Sequence, residues 1–397
     1  MHIVVAVLGD LGRSPRMLYQ AAALADSGAR VTLIGRSGSS LPDRFQERRG
    51  IRLSLLPARP PRAGIGTETG RWVVETGRLL ARILRAGPDV ILLQAPPLVP
   101  AVLAALAASS VCDARLVIDW HNLGDALLAL RPRGSGAPAA ILAALERSLG
   151  RRADAHLAVS AELAAALRAR RDIAGARVFR DRPHDRFREP AAAEVAAFRA
   201  GLIGSLGLPF DEPLLLALSP TSWGRDEDLD QLPAAAGILA STLPASARPI
   251  LLLASGDGEG RRGFEAKAAS IADSRAAVRT TFVSSDQYPL LVRSADVGVS
   301  LHRPAAGLDP PMKVADLLGS GVPVLELRDG PAPESLIVDG RNGLAFRGPA
   351  DLAGALARLA SDPASLAALA EGARESGPSF GTAWASEAAP VLLGSAG

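Results

Sequence analysis

Asp309, Lys313 and Asp316 fall at helical spacing in the stretch GLDPPMKVADLLGSGVP, which runs from Gly307 to Pro323. Asp309 is a strong helix N-cap, Pro310 and Pro311 suit the first helical positions, and Gly319 and Gly321 close the segment about three turns later. The amino end of such a helix presents unpaired N–H groups and the positive end of the dipole, which favours a phosphate. Lys313 lies beside it in the first turn, and Asp316, one turn on, is placed for a ribose or sugar hydroxyl. The plainer alternative is a capped surface helix whose three charges pair at i,i+3 and i,i+4. The flanks favour a ligand. The apolar run DVGVSLH, from Asp296 to His302, leads in, and VPVLEL leads out. That is strand, loop, helix, strand, and a ligand in such a unit sits at the carboxyl ends of the strands.

Other segments carry chemistry at comparable places. Gly9 to Arg16 follows the first apolar run; Gly9 and Gly12 allow close approach of a ligand, Asp10 can act as a base, and Arg13 and Arg16 can bind an anion. The same loop can equally hold Asp10 paired with an arginine. It is not the GxGxxG fingerprint of nicotinamide cofactors. His121, in IDWHN from Ile118 to Asn122, lies just past another strand end, where a histidine serves either structure or proton transfer. After the run LLLAL comes PTSWGRDED; Ser222 and nearby amides can meet a phosphate or a sugar, whereas Asp226 to Asp228 read as a cap on the next helix. Gly256, Gly258 and Gly260 form a turn fit for close approach, and Glu334 precedes a short helix and a DG turn.

These segments need strands to hold them. His2–Leu8, Val31–Gly35, Ile51–Leu55, Val90–Gln94, Leu116–Asp119 and His156–Val159 read as buried strands, separated by helices such as Met17–Ser27 and Arg71–Ala86. From Arg177 to Pro213 the pattern dissolves into Arg, Pro, Asp and Gly. It then restarts with Leu214–Leu218, Ile250–Ala254, Val278–Phe282, Val297–Leu301 and Val322–Leu327. Such alternation means two α/β halves, each a parallel sheet covered on both faces, with a cleft expected between them.

The chain has 397 residues, is 48% hydrophobic and carries a formal net charge of +3, which gives ample core for two domains and no case for nucleic acid. Of its 44 basic residues only Lys267 and Lys313 are lysines, so Lys313 beside a phosphate site is a distinctive choice. Cys112 is the single cysteine, which excludes a disulfide framework and a thiolate zinc site and fits a reducing, cytoplasmic setting. The apolar run at the amino terminus, roughly six residues, is too short for a signal peptide or a membrane span. The arginine-flanked apolar segment Arg71–Arg85 is a candidate for peripheral contact with a membrane.

GDLGRSPRM (Gly9–Met17), VIDWHN (Val117–Asn122), TSW with its acidic tail (Thr221–Asp228), YPLLVRSADVGVSLH (Tyr288–His302) and GLDPPMKVAD (Gly307–Asp316) together resemble the chitobiosyldiphosphodolichol beta-mannosyltransferase family of glycosyltransferases. They occur in one order over most of the chain. The resemblance implies the GT-B fold: a Rossmann-like acceptor domain over 1–185, a linker over 186–212, a Rossmann-like sugar-nucleotide domain over 213–375, and a tail helix over 376–397 that packs back toward the first domain. It implies GDP-mannose as donor, inversion at the anomeric carbon, and a glycan or lipid-linked glycan as acceptor. Ser222, Gly258, His302, Gly307, Leu308, Asp309, Met312, Lys313, Asp316 and Glu334 fall on the donor side, with Asp316 matching the acid that holds the ribose in related enzymes. Gly12, Arg13, Arg16 and Asn122 fall on the acceptor or phosphate side. Unlike the eukaryotic members, the sequence shows no amino-terminal span, which leaves open an undecaprenyl-diphosphate glycan or another saccharide as acceptor.

Direct displacement needs a base for the acceptor hydroxyl and stabilisation of the departing diphosphate. Asp10 is the preferred base and His121 the second; Lys313, the adjoining helix end and Arg13 or Arg16 would carry the diphosphate charge without a metal or other cofactor. Rival expectations are a retaining GT-B enzyme with another sugar nucleotide, a sugar-nucleotide 2-epimerase of the same fold, and a non-catalytic sugar-binding subunit.

Overall fold

Short runs of Leu, Val and Ile without polar alternation bury both faces of a strand, which only a parallel sheet covered on each side can use. A computed structural model shows two such sheets. It describes all residues except 37, 40, 43–44, 46–47, 58–64, 131–133, 212, 225, 270, 272–274, 304–307, 309–310, 329–334, 378 and 395–397, and leaves out the side chains of 65–69 and 71. The chain divides into one unit of Met1–Asp181 with Gly381–Gly397 and a second of Arg182–Phe380.

In the first unit the strands are β1 (His2–Asp10), β2 (Arg30–Arg36), β3 (Ile51–Leu56), β4 (Val90–Ala95), β5 (Arg115–Trp120), β6 (Ala155–Ala158) and β7 (Arg177–Val178). Their order is β3-β2-β1-β4-β5-β6-β7, parallel throughout. Val5 of β1 is paired with Leu33 on one side and Leu92 on the other, and all three are fully buried. The order reverses between β1 and β4, so the loops leaving those strands diverge and open a crevice at the carboxyl edge. The terminal residues join this unit through hydrogen bonds from Arg115 Nη1 to the Val391 carbonyl (2.6 Å) and from Arg177 Nη2 to the Ser386 carbonyl (3.4 Å).

The second unit has β8 (Leu215–Pro220), β9 (Ile250–Ser255), β10 (Ala276–Thr281), β11 (Val297–Ser300), β12 (Val324–Leu327) and β13 (Gly343–Phe346), in the order β10-β9-β8-β11-β12-β13 and again parallel. Alternate strand residues feed two cores. Leu215, Leu252, Val297 and Leu325 meet Leu232, Leu239, Leu352 and Leu356 of the helices Gln231–Thr242 and Pro349–Ser361. On the opposite face Leu216, Leu253 and Val324 meet Leu291, Val314 and Leu317 of the helices Tyr288–Ser294 and Met312–Gly319. The switch point here lies between β8 and β11.

Differences from the sequence reading have local causes. Residues 186–212, expected as linker, belong to the second unit and include the helix Ala192–Ser205, held there by Arg199 Nη2 on Asp296 at 3.0 Å. β7 is too short to print an apolar run, and β13 hides behind its leading DG turn. The helix expected from Arg71 spans Ile65–Ala86. The lysine-bearing helix runs Met312–Gly319 with Pro311 at its N-cap, and Asp309 and Pro310 lie outside the described residues.

That helix sits tightly on its sheet. A Cβ on Gly298 of β11 would come within 2.5 Å of Leu317 Cδ1 and 2.8 Å of Cδ2, so the absence of a side chain sets how closely helix and strand approach. Gly298→Ala is therefore expected to destabilise the protein by about 1–3 kcal/mol through overpacking. Urea denaturation would register this as a lower midpoint at unchanged slope, and a midpoint equal to wild type would refute the constraint.

Candidate active site

At the switch point of the second unit the loops after β8 and β11 are stitched together. Glu227 and His302 form an antiparallel bridge, Asp228 N donates to the Leu301 carbonyl at 3.0 Å, and Arg303 N donates to the Asp226 carbonyl at 2.7 Å. Glu227, whose side chain is only 4% exposed, organises the first loop. Its Oε2 accepts from Thr221 Oγ1 (2.8 Å), Ser222 N (2.9 Å), Ser222 Oγ (3.1 Å) and Gly224 N (3.3 Å). Its Oε1 accepts from Lys313 Nζ in the first turn of the helix Met312–Gly319. The acidic run therefore ties loop to helix rather than capping the next helix, whose N-cap Asp230 makes no side-chain cap bond. A carboxylate with so many donors is fixed in place, and it holds Lys313 beside the amino end of the helix.

Burial draws the Lys313 ammonium down to about 8, against the opposing attraction of Asp226 and Asp316. Asp226 bonds His302 Nδ1 at 3.4 Å, and that contact holds the Asp226 carboxyl below its ordinary range although burial acts the other way. Asp316 is buried and accepts from Tyr288 Oη at 3.4 Å; Leu308 is buried and Met312 half-buried. Gly307, Asp309 and Glu334 lie outside the described residues. Gly258 serves the loop in a way its sequence did not reveal. A Cβ there would come within 2.9 Å of Trp223 Cβ, and one on Gly256 within 1.9 Å of the Thr221 carbonyl oxygen. These glycines leave room for Trp223, which has φ of 58° and packs edge-on against Phe264 with centroids 5.3 Å apart. A tryptophan in the left-handed region is strained, and here the packing around it holds it there.

In the first unit the loop after β1 closes on Asp10. Its Oδ1 accepts from Gly12 N (3.1 Å), Gly38 N (3.3 Å) and Ser39 N (3.1 Å), and its Oδ2 from Ser39 Oγ (2.6 Å). Burial alone would raise this carboxyl, but the Ser39 and glycine donors outweigh it and hold it below the ordinary carboxylate range. Arg13, 60% exposed, lies 4.0 Å from Asp10. Arg16 is not placed to meet an anion from solvent. It is 1% exposed, forks onto both oxygens of Asp119 at 2.8 and 3.0 Å, donates Nη1 to Asp181 at 2.8 Å, and lies 4.3 Å over the Phe179 ring.

Asp119, fully buried at the end of β5, also accepts from Gln20 Nε2 at 2.7 Å and contacts His121 Nε2 at 3.1 Å. Burial would raise its pKa, but Arg16 and His121 hold it well below the carboxylate range. It therefore remains an anion that orients the His121 imidazole through Nε2 and leaves Nδ1 on the other side of the ring. The His121 side chain is 24% exposed, and its backbone N donates to the Ala95 carbonyl at 2.7 Å. Asn122, 3% exposed, accepts from Leu123 N at 2.8 Å, while its Nδ2 finds no acceptor among the described residues.

Glu227, Asp119 and Tyr288 are thus site residues that the sequence reading did not single out. The hints were an acid in the loop after β8 for Glu227 and an acid next to His121 at the end of β5 for Asp119. Among the described residues, no group of three or more His, Cys, Asp or Glu side chains is arranged to hold a metal ion, and no helix is long and apolar enough to cross a membrane.

Comparison with known proteins assigns this architecture. Residues 12–180 match the glycosyl transferase 4-like domain, and residues 256–376 match a glycosyl transferase-like domain. Among solved structures, sucrose-phosphate synthase from Thermosynechococcus elongatus superposes with a TM-score of 0.69 at 17% identity, covering 97% of this chain and 95% of that one. Anabaena HepE in complex with UDP-glucose gives 0.68 at 16% identity, covering 94% and 93%. These show the GT-B fold, two Rossmann-like domains. In sequence, chitobiosyldiphosphodolichol beta-mannosyltransferase of Yarrowia lipolytica is 30% identical over 98% of this chain and 86% of its own length, and the Homo sapiens protein of that name is 31% identical over 91% and 86%. A match of this extent, through both units, makes the chain a glycosyltransferase that belongs to the chitobiosyldiphosphodolichol beta-mannosyltransferase family.

Proposed function

We propose that the enzyme transfers mannose from GDP-mannose, with inversion, to a hydroxyl of a glycan carried on a polyprenyl diphosphate, at the cytoplasmic face of the membrane holding that acceptor. The observation that carries this is the span of the likeness to relatives named for beta-mannosyl transfer to a dolichol-linked chitobiose. The second unit would hold the donor. In this reading Lys313 and the amino end of the helix Met312–Gly319 balance the leaving diphosphate, Asp316 takes the ribose, and Ser222 and His302 line the same switch point. No metal or other cofactor enters the scheme. The first unit would hold the acceptor.

For the base we propose His121, with Asp119 as its positioning residue, in preference to Asp10. Two arguments support the order. Both Asp10 oxygens already accept hydrogen bonds and its carboxyl is held below the ordinary range, which makes it a poor proton acceptor near neutrality. His121 is turned by a buried anion, the arrangement that fixes an imidazole for proton abstraction. Asn122 Nδ2, buried and unpartnered among the described residues, supplies an adjacent donor for a substrate oxygen.

His121→Ala is expected to lower turnover by roughly 10²- to 10⁴-fold while leaving GDP affinity close to wild type. Asp10→Asn, which retains the loop's shape, should cost less than His121→Ala. Steady-state kinetics with calorimetric GDP titration decides between them: if Asp10→Asn is the more damaging, the base is Asp10. An alpha linkage in the product, read by NMR, would overturn inversion.

Lys313 gives donor binding a pH signature. A bound diphosphate favours the ammonium, so its pKa in the complex lies above the value of about 8 in the free protein. Affinity is then full below about pH 8 and falls as pH rises toward the bound-state value, by up to about tenfold per unit. Lys313→Arg should remove that step, because a guanidinium stays charged throughout. GDP titrations at about pH 7 and about pH 9 test it: parallel behaviour of wild type and variant would exclude Lys313 from the diphosphate.

A further inference from the structure

The first unit contains a second concavity that the catalytic reading leaves unused. A groove of about 620 Å³ opens at the carboxyl edge of its sheet, walled by Leu8, Trp72, Pro97, Leu127, Ile141 and Leu145. That volume is in the range of about 300–1,000 Å³ that small-molecule sites occupy. Trp72, Leu127, Ile141 and Leu145 are exposed by 43%, 36%, 62% and 38%, a concentration of uncovered apolar surface on three separate helices. Isolated exposed leucines need no account, but a contiguous apolar hollow marks a binding surface.

The charges in the wall narrow the ligand. Arg36 Nη2 lies 2.6 Å from Glu75 Oε1, each side chain 12% exposed, and Arg36 also donates to the Leu8 and Pro57 carbonyls at 3.0 and 2.8 Å. Glu146 is fully buried and accepts from Arg171 Nε and Nη2 at 3.1 and 3.0 Å and from Gly124 N at 3.0 Å. Each charged group lining the groove is therefore already paired within the protein. A polar ligand would give up its hydration without charged partners in return, whereas a hydrocarbon loses nothing by entering.

Location identifies whose hydrocarbon it is. Leu8 of the wall lies two residues before Asp10 at the end of β1; Pro96 of the wall follows Ala95, whose carbonyl holds the His121 backbone; and Gly124 of the wall lies three residues past His121. The groove and the proposed acceptor site are built on the same strand ends. We propose that this groove binds the isoprenoid chain of the acceptor, joined to the glycan through the diphosphate, so that part of the lipid is held by the protein during transfer. This rests on the reading of the first unit as the acceptor side of a glycosyl transfer.

Trp72 at the rim allows a direct test on the full chain. Titration with geranylgeranyl diphosphate should give a saturable blue shift of tryptophan emission that inorganic diphosphate does not give, and Trp72→Phe should abolish the shift. The double variant Ile141→Gln, Leu145→Gln, altering two exposed positions, should weaken the titration by roughly tenfold or more. In kinetics, a chain-bearing glycan diphosphate should have a KM roughly tenfold or more below that of its methyl ester. The double variant should erase that difference while leaving kcat and the methyl-ester KM unchanged. No shift with the prenyl ligand, or equal KM values for the two acceptors in wild type, overturns the groove but leaves the transferase reading intact. Failure to transfer to any acceptor overturns that reading, and the fluorescence titration still judges the groove. If the double variant loses flotation with anionic vesicles yet retains the prenyl titration, the face is a membrane-docking surface and the proposal is wrong.

Discussion

In a parallel sheet every strand ends at the same edge, and the rest of this molecule follows from that constraint. Where the strand order reverses, neighbouring loops leave in opposite directions and cannot cover the strand ends between them. The first unit reverses between β1 and β4 and the second between β8 and β11. Asp10 closes the loop after β1, His121 follows β5 beside β4, Glu227 stands in the loop after β8, and His302 follows β11. Chemistry-bearing residues far apart in sequence are therefore neighbours by topology, and the strands contribute polar residues near their carboxyl ends, as Asp10 of β1 and Asp119 of β5 do.

Such edges expose polar loops that must be held rigid, and in each unit a buried carboxylate does so. Asp119 and Glu227 both take on a desolvation cost that a single partner would not offset. Asp119 offsets it with a bidentate arginine, a glutamine and a histidine; Glu227 offsets it with two hydroxyls, two backbone amides and an ammonium. The difference matters for what each can do. Arg16 is enclosed between two carboxylates and is structural, leaving His121, among the described residues, as the partner of Asp119 with a partly exposed side chain. Lys313 remains 29% exposed at a helix end, where an anionic ligand can reach it.

The fold was legible because strands buried on both faces read as uninterrupted apolar runs, and β9 and β11 appear in the sequence within about a residue of their observed ends. The site was legible as segments but not as contacts. Arg16 looked like an anion ligand because its partner Asp119 is 103 residues away. Asp10 looked like a free base because two of its donors, Gly38 and Ser39, arrive from the loop after β2. Glu227 looked like a helix cap because an acidic run before a helix usually is one, and only the pairing of β8 with β11 brings Lys313, 86 residues on, to its side. Local chemistry nominated the residues, and long-range pairing decided their roles.

The choice between the two basic side chains follows the same division. This chain uses arginine almost everywhere, and at position 16 the planar fork is what the geometry requires, since one guanidinium must satisfy both oxygens of Asp119 and one of Asp181 together. Such a group has no freedom to take up another anion. At position 313 the partner is a single oxygen of Glu227, and a compact ammonium on a flexible stem can exchange that oxygen for another without rebuilding the loop. Burial lowers the cost of its neutral form as well, so its charge is responsive to whatever anion stands beside it. In the proposed function the lysine stands where the cation exchanges its partner for the donor diphosphate, and the arginine where its partners stay fixed.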